Sequence, residues 1–338
     1  TDREERRIIA MIDNLTAKTY DLREVSHIND SFVKARPRYF KFRCPNCYLI
    51  SNGMGGDNEA FMTIEIRRGF YNDCRIYGSI RKWYHGALSE NDLRWEEFIE
   101  AIENLERILE LPEKSLYKWN ISRIEVGLGA KTPYDSTYVT TQIVGFKRSS
   151  YKIGDYEGYR KFATKSQDRI AKIYDKKTEI RKKIGLIKSI EESDFIERTK
   201  SLNIFRPEFI VQKGKANVRK DIGVETIGDI VAHYPRLLAY FLRQIKYFQF
   251  KGNSDLEFNP TKGNIKEFTD YLLNVAINYL GAVGIRNVIS QLAPNYKSDA
   301  RRKIKKLRVD TEVNNPIKKD VIRALRNQSI DLFRRKTL

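Results

Sequence analysis

The chain has 338 residues, 41% hydrophobic and 12% aromatic, enough to bury a core and too apolar for a disordered chain. Its formal charge of +19 is spread along the whole length, which points to a polyanionic partner, nucleic acid first and a membrane surface second. No run of about 18 apolar residues occurs, which excludes a spanning helix, and three cysteines in a chain this long do not make a disulfide framework.

The length allows one large domain or two ordinary ones, and no repeat at solenoid periods is visible. The charged start "TDREERRIIAMIDN" is expected not to be a secretory signal. Together with the cysteine usage this favours a reducing cytoplasm, with no membrane partner.

"SNGMGGDNEA" (Ser51 to Ala60) is a turn-rich break before "FMTIEIRRGF". That run alternates, with Ile64 and Ile66 on one face and Thr63, Glu65 and Arg67 on the other. "CRIYGSIRKWYHG" reads as its hairpin partner. "SENDLRWEEFIEAIENLERILEL" is the clearest helix. Ser89 with Asp92 resembles a capping box, and Leu93, Phe98, Ile99, Ile102, Leu105, Ile108 and Leu109 form the buried stripe.

"NISRIEVGLG" (Asn120 to Gly129) reads as a strand, followed by a loop and a helical crossover within 131–147. "GYRKFATKS" and "RIAKIYDKK" read as a strand pair. Lys177 to Arg198 carries a helical period, and "NIFRPEFIVQKG" closes this half as a strand. Beyond about Gly214 strand signals thin out, and "RLLAYFLRQIKYF", "FTDYLLNVAINYL" and "VIRALRNQSIDLF" read as helices. The expected architecture is α+β, a central mainly antiparallel sheet with flanking helices over 1–215, plus a mostly helical, basic C-terminal domain over 216–338.

Strand period places chemistry on one face. In "ISRIEVGL", Arg123 and Glu125 oppose Ile124, Val126 and Leu128. In "FRPEFIV", Arg206 and Glu208 oppose Phe205, Pro207, Phe209 and Val211. In "RIAKIYDKK", Lys172, Tyr174 and Lys176 oppose Ala171 and Ile173. One reading is a sheet with a wet face decorated by ion pairs. The sharper one is that Glu125, Glu208 and Glu65 converge on Mg²⁺ or Mn²⁺, which prefer hard oxygen ligands. A phenol beside such a metal and a lysine becomes a competent nucleophile despite its ordinary pKa of about 10.

Four segments in order, "YGSIRKWYHG", "ISRIEVGLGA", "AKIYDKKTEI" and "FRPEFIVQKG", resemble the rolling-circle replication initiators of the filamentous-phage gene II type and the related Rep-trans plasmid initiators. The resemblance spans roughly Phe61 to Val218. It implies a metal-dependent endonuclease and strand transferase with an HUH-like nuclease core. Such an enzyme nicks one strand of a single-stranded or hairpin DNA origin, leaving a 5′-phosphotyrosine and a free 3′-hydroxyl.

It makes Tyr174 the nucleophile, Glu125 and Glu208 the first metal ligands and Glu65 a third. Lys176 is the phosphate or phenolate partner, with Lys177 its rival. Arg123, Arg206, Lys172 and Lys82 are candidate DNA contacts, with structural pairing to the glutamates an open alternative for the two arginines. A host helicase and polymerase are implied partners; the oligomeric state stays open. The chain departs from many HUH relatives in having no His-x-His among His27, His85 and His233. Tyr151, Tyr156 and Tyr159 are candidates for a second active tyrosine. A relaxase or single-strand transposase uses the same chemistry, and a non-catalytic nucleic-acid-binding protein is the alternative from another class.

"GLGAKT" is not a phosphate loop, because Ala130 and Glu125 stand where glycines are required. Cys44 and Cys47, with Cys74 and His27 or His85, are a weak zinc pattern beside a plain thiol pair. "RRKIKKLR", with Arg301, Arg302, Lys303, Lys305 and Lys306, is read as a DNA-backbone contact. Trp83, Tyr84 and Tyr159 are stacking or core residues.

Overall fold

A computed structural model describes residues 12–56, 59–89, 91–147, 150–184, 203–251, 269, 272–273, 288–313 and 316–331. The strands are β1 (Ile12–Thr19), β2 (Phe40–Cys44), β3 (Cys47–Ser51), β4 (Phe61–Arg67), β5 (Asp73–Ser79), β6 (Asn120–Gly127), β7 (Ala130–Lys131), β8 (Ile143–Phe146), β9 (Ser150–Tyr156), β10 (Tyr159–Thr164), β11 (Arg169–Asp175), β12 (Ile204–Val211) and β13 (Phe248–Phe250). The helices are α1 (Asp30–Lys34), α2 (Ile80–His85), α3 (Trp95–Leu109), α4 (Ser136–Gln142), α5 (Lys176–Ile184), α6 (Lys215–Ile222), α7 (Ile227–Ala232), α8 (Pro235–Ile245), α9 (Pro294–Val313) and α10 (Pro316–Asp331).

One large antiparallel sheet runs in the order β2-β3-β4-β5-β1-β6-β12-β11-β10-β9, with β7 also on β12. The fold is therefore α+β around an antiparallel sheet, with a helical C-terminal region. The β4–β5 hairpin and the β10–β11 pair stand where alternation places them. The expected partner of β4 ends at Ser79, because Ser79 Oγ accepts from Lys82 N (3.2 Å) and starts α2. The capping box of α3 is also displaced. Glu97 accepts from Arg94 N at 2.7 Å, which leaves Asp92 free for the site described below.

Two strand groups carry no clear alternation signal and were not expected: β1, which lies in the middle of the sheet, and the β2–β3 hairpin at its edge. The small β8–β13 sheet and the edge strand β9 were also missed, and the two strands of the small sheet come from either side of residue 215. Val218, Ile222, Leu237, Phe241, Val321 and Leu325 belong to the same hydrophobic cluster as Ile124, Val126 and Phe209. One core thus crosses the expected domain boundary. The expected helix over 268–280, apart from the helical residues 269 and 272–273, and most of that over Lys177 to Arg198 lie outside the described residues. No helix among the described residues is long and apolar enough to cross a membrane.

Pro207 sits inside a central strand, where proline is normally excluded. Here the β6 ladder ends at Glu208 and the β7 ladder begins at Phe205, so the missing N–H falls in the gap between them.

Candidate active site

The first carboxylate comes from β1. Ile12 stands opposite Val126 and Leu15 opposite Ile124, so three steps along β1 match two along β6. That extra residue is a β-bulge. It lets Ile12 and Leu15 both enter the core, although residues three apart point to opposite faces of a regular strand. Asp13 is turned to the polar face, where Ser79 Oγ donates to it. Arg81 reaches it at 3.3 Å and Arg206 at 3.7 Å.

The other carboxylates come from β6 and β12. Glu208 pairs with Gly127 on one side and Lys172 on the other, while Tyr174 pairs with Arg206. Tyr174 is thus the diagonal neighbour of Glu208, within reach of a long side chain. Its hydroxyl donates to Glu208 Oε1. Arg206 Nε donates to the same oxygen at 2.9 Å, and Arg206 Nη1 is held by Asp92. Asp92 in turn accepts from Gly129 N at 3.1 Å. Lys172 Nζ lies between the two glutamates, 2.6 Å from Glu125 and 3.4 Å from Glu208.

Ligand oxygens of Asp13, Glu125 and Glu208 lie within 4.8 Å of one another, and all three residues are buried. Among the described residues this is the group of His, Cys, Asp and Glu side chains placed to hold an ion. Burial and the neighbouring charge of Glu208 hold the Glu125 carboxyl well above its usual range. For Glu208, burial pulls upward, but Lys172, the hydrogen bond with Glu125 and Arg206 bring it down to about 2. The two carboxyls therefore share one proton, as close like charges must. A divalent cation on this all-oxygen donor set would replace that proton, so the residues present fit Mg²⁺ or Mn²⁺.

Burial and then the charge of Glu208 push the Tyr174 phenol well above its ordinary value, with Arg206 opposing. The phenol is 6% exposed. It opens onto a cavity of about 190 Å³ shared with Asp13, Glu125, Glu208, Lys82, Lys172 and Lys182. Tyr156, Tyr159, Thr178 and Glu179 line its other walls. The Tyr156 and Tyr159 rings stack at 4.4 Å and 8°, with Lys182 Nζ over the Tyr156 ring at 3.2 Å.

Tyr174, Glu125, Glu208, Lys172 and Lys82 are thus brought together, and Asp13, Arg81 and Asp92 join them without having been expected. Glu65 is not part of the group. It lies on β4 opposite Arg75 and Cys47, with β5 and β1 between it and β6. Arg206 is not available to DNA, because it is buried against Asp92, Glu208 and Asp13. Arg123 is half-buried and pairs with Glu125 at 3.3 Å.

Lys176 is buried, pairs with Glu179 at 2.8 Å and lies 5.9 Å from the Tyr174 ring centre. Lys177 is half-buried and is not among the residues lining the cavity. Lys82 bonds Glu179 at 3.0 Å. Of the other tyrosines, Tyr156 and Tyr159 line the cavity, and the side chain of Tyr151 lies outside the described residues. Arg301, Arg302 and Lys303 are exposed on α9, whereas the side chains of Lys305 and Lys306 lie outside the described residues. Trp83 is a core residue bonded to Ile50 O at 2.9 Å, and Tyr84 OH bonds Glu100 at 2.6 Å.

The thiols of Cys44, Cys47 and Cys74 are free. His27 Nε2 lies 2.8 Å from Leu109 O and His85 pairs with Glu97 at 3.2 Å, so neither histidine joins them.

No family model matches the chain, and no curated protein matches it significantly. Among solved structures the chain is similar to a rolling circle replication initiator protein from Geobacillus stearothermophilus, with a TM-score of 0.35 and 14% identity over 78% of this chain and 95% of that one. A similarity that low does not place the chain in a family.

Proposed function

We propose that the chain is a metal-dependent DNA nicking and strand-transfer enzyme that starts rolling-circle replication by attack of Tyr174 on a phosphodiester. The observation that carries this reading is the hydrogen bond from Tyr174 to Glu208 inside a cavity that also takes in Asp13, Glu125 and lysines. A carboxylate aligned with a phenol, beside a cation site and in a chain of charge +19, is what attack on a polyanionic backbone requires.

Glu208, kept ionised by Lys172 and Arg206, accepts the hydrogen bond of the phenol and orients it, while the phenol proton is lost to water. The Tyr174 oxygen forms a bond to phosphorus as the bond to the 3′ oxygen breaks. That oxygen takes a proton from water, which gives a 5′-phosphotyrosine and a free 3′-hydroxyl. Asp13, Glu125 and Glu208 would hold Mg²⁺ or Mn²⁺. Such an ion neutralises charge on the phosphate oxygens and eases ionisation of the phenol. Lys172, Lys82 and Lys182 line the cavity and attract the phosphate. The exposed cations of α9 add backbone contacts. A host helicase and polymerase would be needed downstream. A relaxase or single-strand transposase would use the same residues on different DNA.

One observation favours a second, non-catalytic reading. Lys172 already neutralises Glu125 and Glu208, so the cluster is satisfied as a buried polar network. The test is incubation with Mn²⁺ and a library of single-stranded hairpins, followed by a denaturing gel. The catalytic reading expects a covalent protein–DNA adduct that maps to Tyr174 and is lost in Tyr174→Phe with DNA binding intact. An unchanged DNA response in Tyr174→Phe leaves only the binding protein.

A further inference from the structure

The other end of the sheet carries an unusual surface. Asp13 lies near the start of β1 and Thr19 at its end, six residues or roughly 20 Å away along the strand. Thr19 pairs with Cys74, and Arg67 with Asp73. Ile66 N bonds Asn46 O at 2.8 Å, which brings the β2–β3 turn to the same edge as the β4–β5 turn. Four aromatic rings project from this edge. Phe70 is 95% exposed, Tyr71 58%, Phe42 58% and Tyr20 59%.

Cations are interleaved with those rings. The Arg67 guanidinium covers Tyr71 at 4.0 Å, and Lys18 lies over Tyr20 at 4.8 Å. Phe70 and Tyr71 meet edge to face at 5.3 Å. Arg43 and Arg68 are exposed and form no ion pair among the described residues. The carboxylates nearby are committed or few. Asp73 takes Arg67 and Arg75, Asp21 takes Arg23, and Glu65 is half-buried.

Exposed rings are costly to keep in water unless a partner covers them. Aromatic planes between unpaired cations are the means by which proteins grip single-stranded nucleic acid, stacking on bases while arginines take phosphates. Aromatics and basic side chains also suit a lipid interface, so the choice of DNA rests on the nuclease reading, and vesicle binding is an arm of the test. We infer that this edge is a binding surface for unpaired DNA, with Phe70 and Tyr71 stacking on bases and Arg43 and Arg68 holding the adjoining backbone. It takes DNA as partner from the nuclease reading and adds a contact remote from Tyr174. A strand would therefore have to extend well past the cut site to be held at both places.

The test is fluorescence anisotropy with labelled oligo-dT long enough to span the sheet, on wild type, Phe70→Ala/Tyr71→Ala and Arg43→Ala/Arg68→Ala. Substitution of such exposed side chains leaves the fold in place, which the melting temperature checks. The aromatic double variant is expected to bind oligo-dT about tenfold or more weakly. The arginine double variant should lower the salt slope by about 0.7 for each phosphate it no longer neutralises. Oligo-dT affinity within twofold of wild type for the aromatic variant overturns the inference. So does a weakening seen only with phosphatidylserine vesicles.

The adduct assay separates the two readings. No wild-type adduct together with weakened oligo-dT binding ends the nuclease and keeps this surface. A normal adduct with unchanged oligo-dT binding does the reverse.

Discussion

Gly127 stands directly opposite Glu208 across the β6–β12 ladder, and a Cβ on Gly127 would lie 2.6 Å from Glu208 Cγ. The glycine makes room for the carboxylate that accepts the Tyr174 hydrogen bond. Gly127→Ala therefore acts on the site through packing. Pushing Glu208 aside should cost about 1–3 kcal/mol of stability, the usual range for overpacking. The nicking reaction should fall much further than the folding free energy, because a displacement of about 1 Å at a reacting group costs on the order of 10²-fold. Adduct yield and urea unfolding of the same variant check this; a fully active Gly127→Ala would show that Glu208 is not held where the reaction needs it.

Much of this site could be read from the strand period. Arg-x-Glu on β6 and on β12, each opposite an apolar face, and Tyr174 two residues from Lys172 put these side chains on one surface before any pairing was known. The pairing itself, Tyr174 diagonal to Glu208 and Lys172 opposite it, is tertiary information that the period does not contain. Asp13 was hidden for a specific reason. By strict alternation Asp13 shares a face with Leu15 and Ala17, which would place it in the core. The bulge between Ile12 and Leu15 breaks that parity, and bulges leave no reliable mark in sequence. Glu65 shows the converse: its local pattern matches Glu125, but β5 and β1 intervene. Arg81 reads as part of the strand paired with β4 and Asp92 as the capping-box partner of Ser89, because the start of α2 and the true cap of α3 each lie a few positions away.

The carboxylates of the cluster should respond in opposite ways to neutralisation. Asp13 is the counter-charge of two buried guanidiniums, Arg81 and Arg206. Burial raises its pKa, but these arginines and Lys82 hold it well below the usual carboxylate range. Asp13→Asn leaves buried Arg81 without its carboxylate, while Arg206 keeps Asp92 and Glu208, and should destabilise the fold by about 3–5 kcal/mol, the cost of breaking a buried pair.

Burial and the charge of Glu208 hold the Glu125 carboxyl well above its usual range, so Glu125→Gln puts a neutral group of the same shape where the neutral form is already favoured. That variant should fold within about 1 kcal/mol of wild type. It should nevertheless lose the Mn²⁺-dependent rise in melting temperature. For wild type that rise corresponds to about 2.7 kcal/mol at a hundredfold excess over the dissociation constant. Differential scanning calorimetry with and without Mn²⁺ measures both effects, and equal Mn²⁺ stabilisation of Glu125→Gln and wild type would remove Glu125 from the ligand set.

Lys176 supplies a pH-dependent prediction. Burial, aided by Arg81 and opposed by Glu179, lowers this ammonium from 10.5 to about 8. A lysine depressed in the fold disfavours folding at every pH where the unfolded chain is protonated. Above about pH 10.5 both are neutral and there is no penalty. As pH falls from 10.5 to 8 the unfolded chain takes up a proton that the folded chain refuses, so stability falls with it. Below pH 8 the deficit is complete, at about 3 kcal/mol.

Lys176→Met has similar volume and leaves Glu179 its contact with Lys82 at 3.0 Å. The variant should therefore be more stable than wild type at pH 7 by up to about 3 kcal/mol, and the two should converge near pH 10.5. Urea unfolding of both proteins at pH 7 and pH 10 reads the difference directly. A variant destabilised equally at both pH values would mean that the ammonium is fully paired in the fold and that Lys176 is held there for its charge.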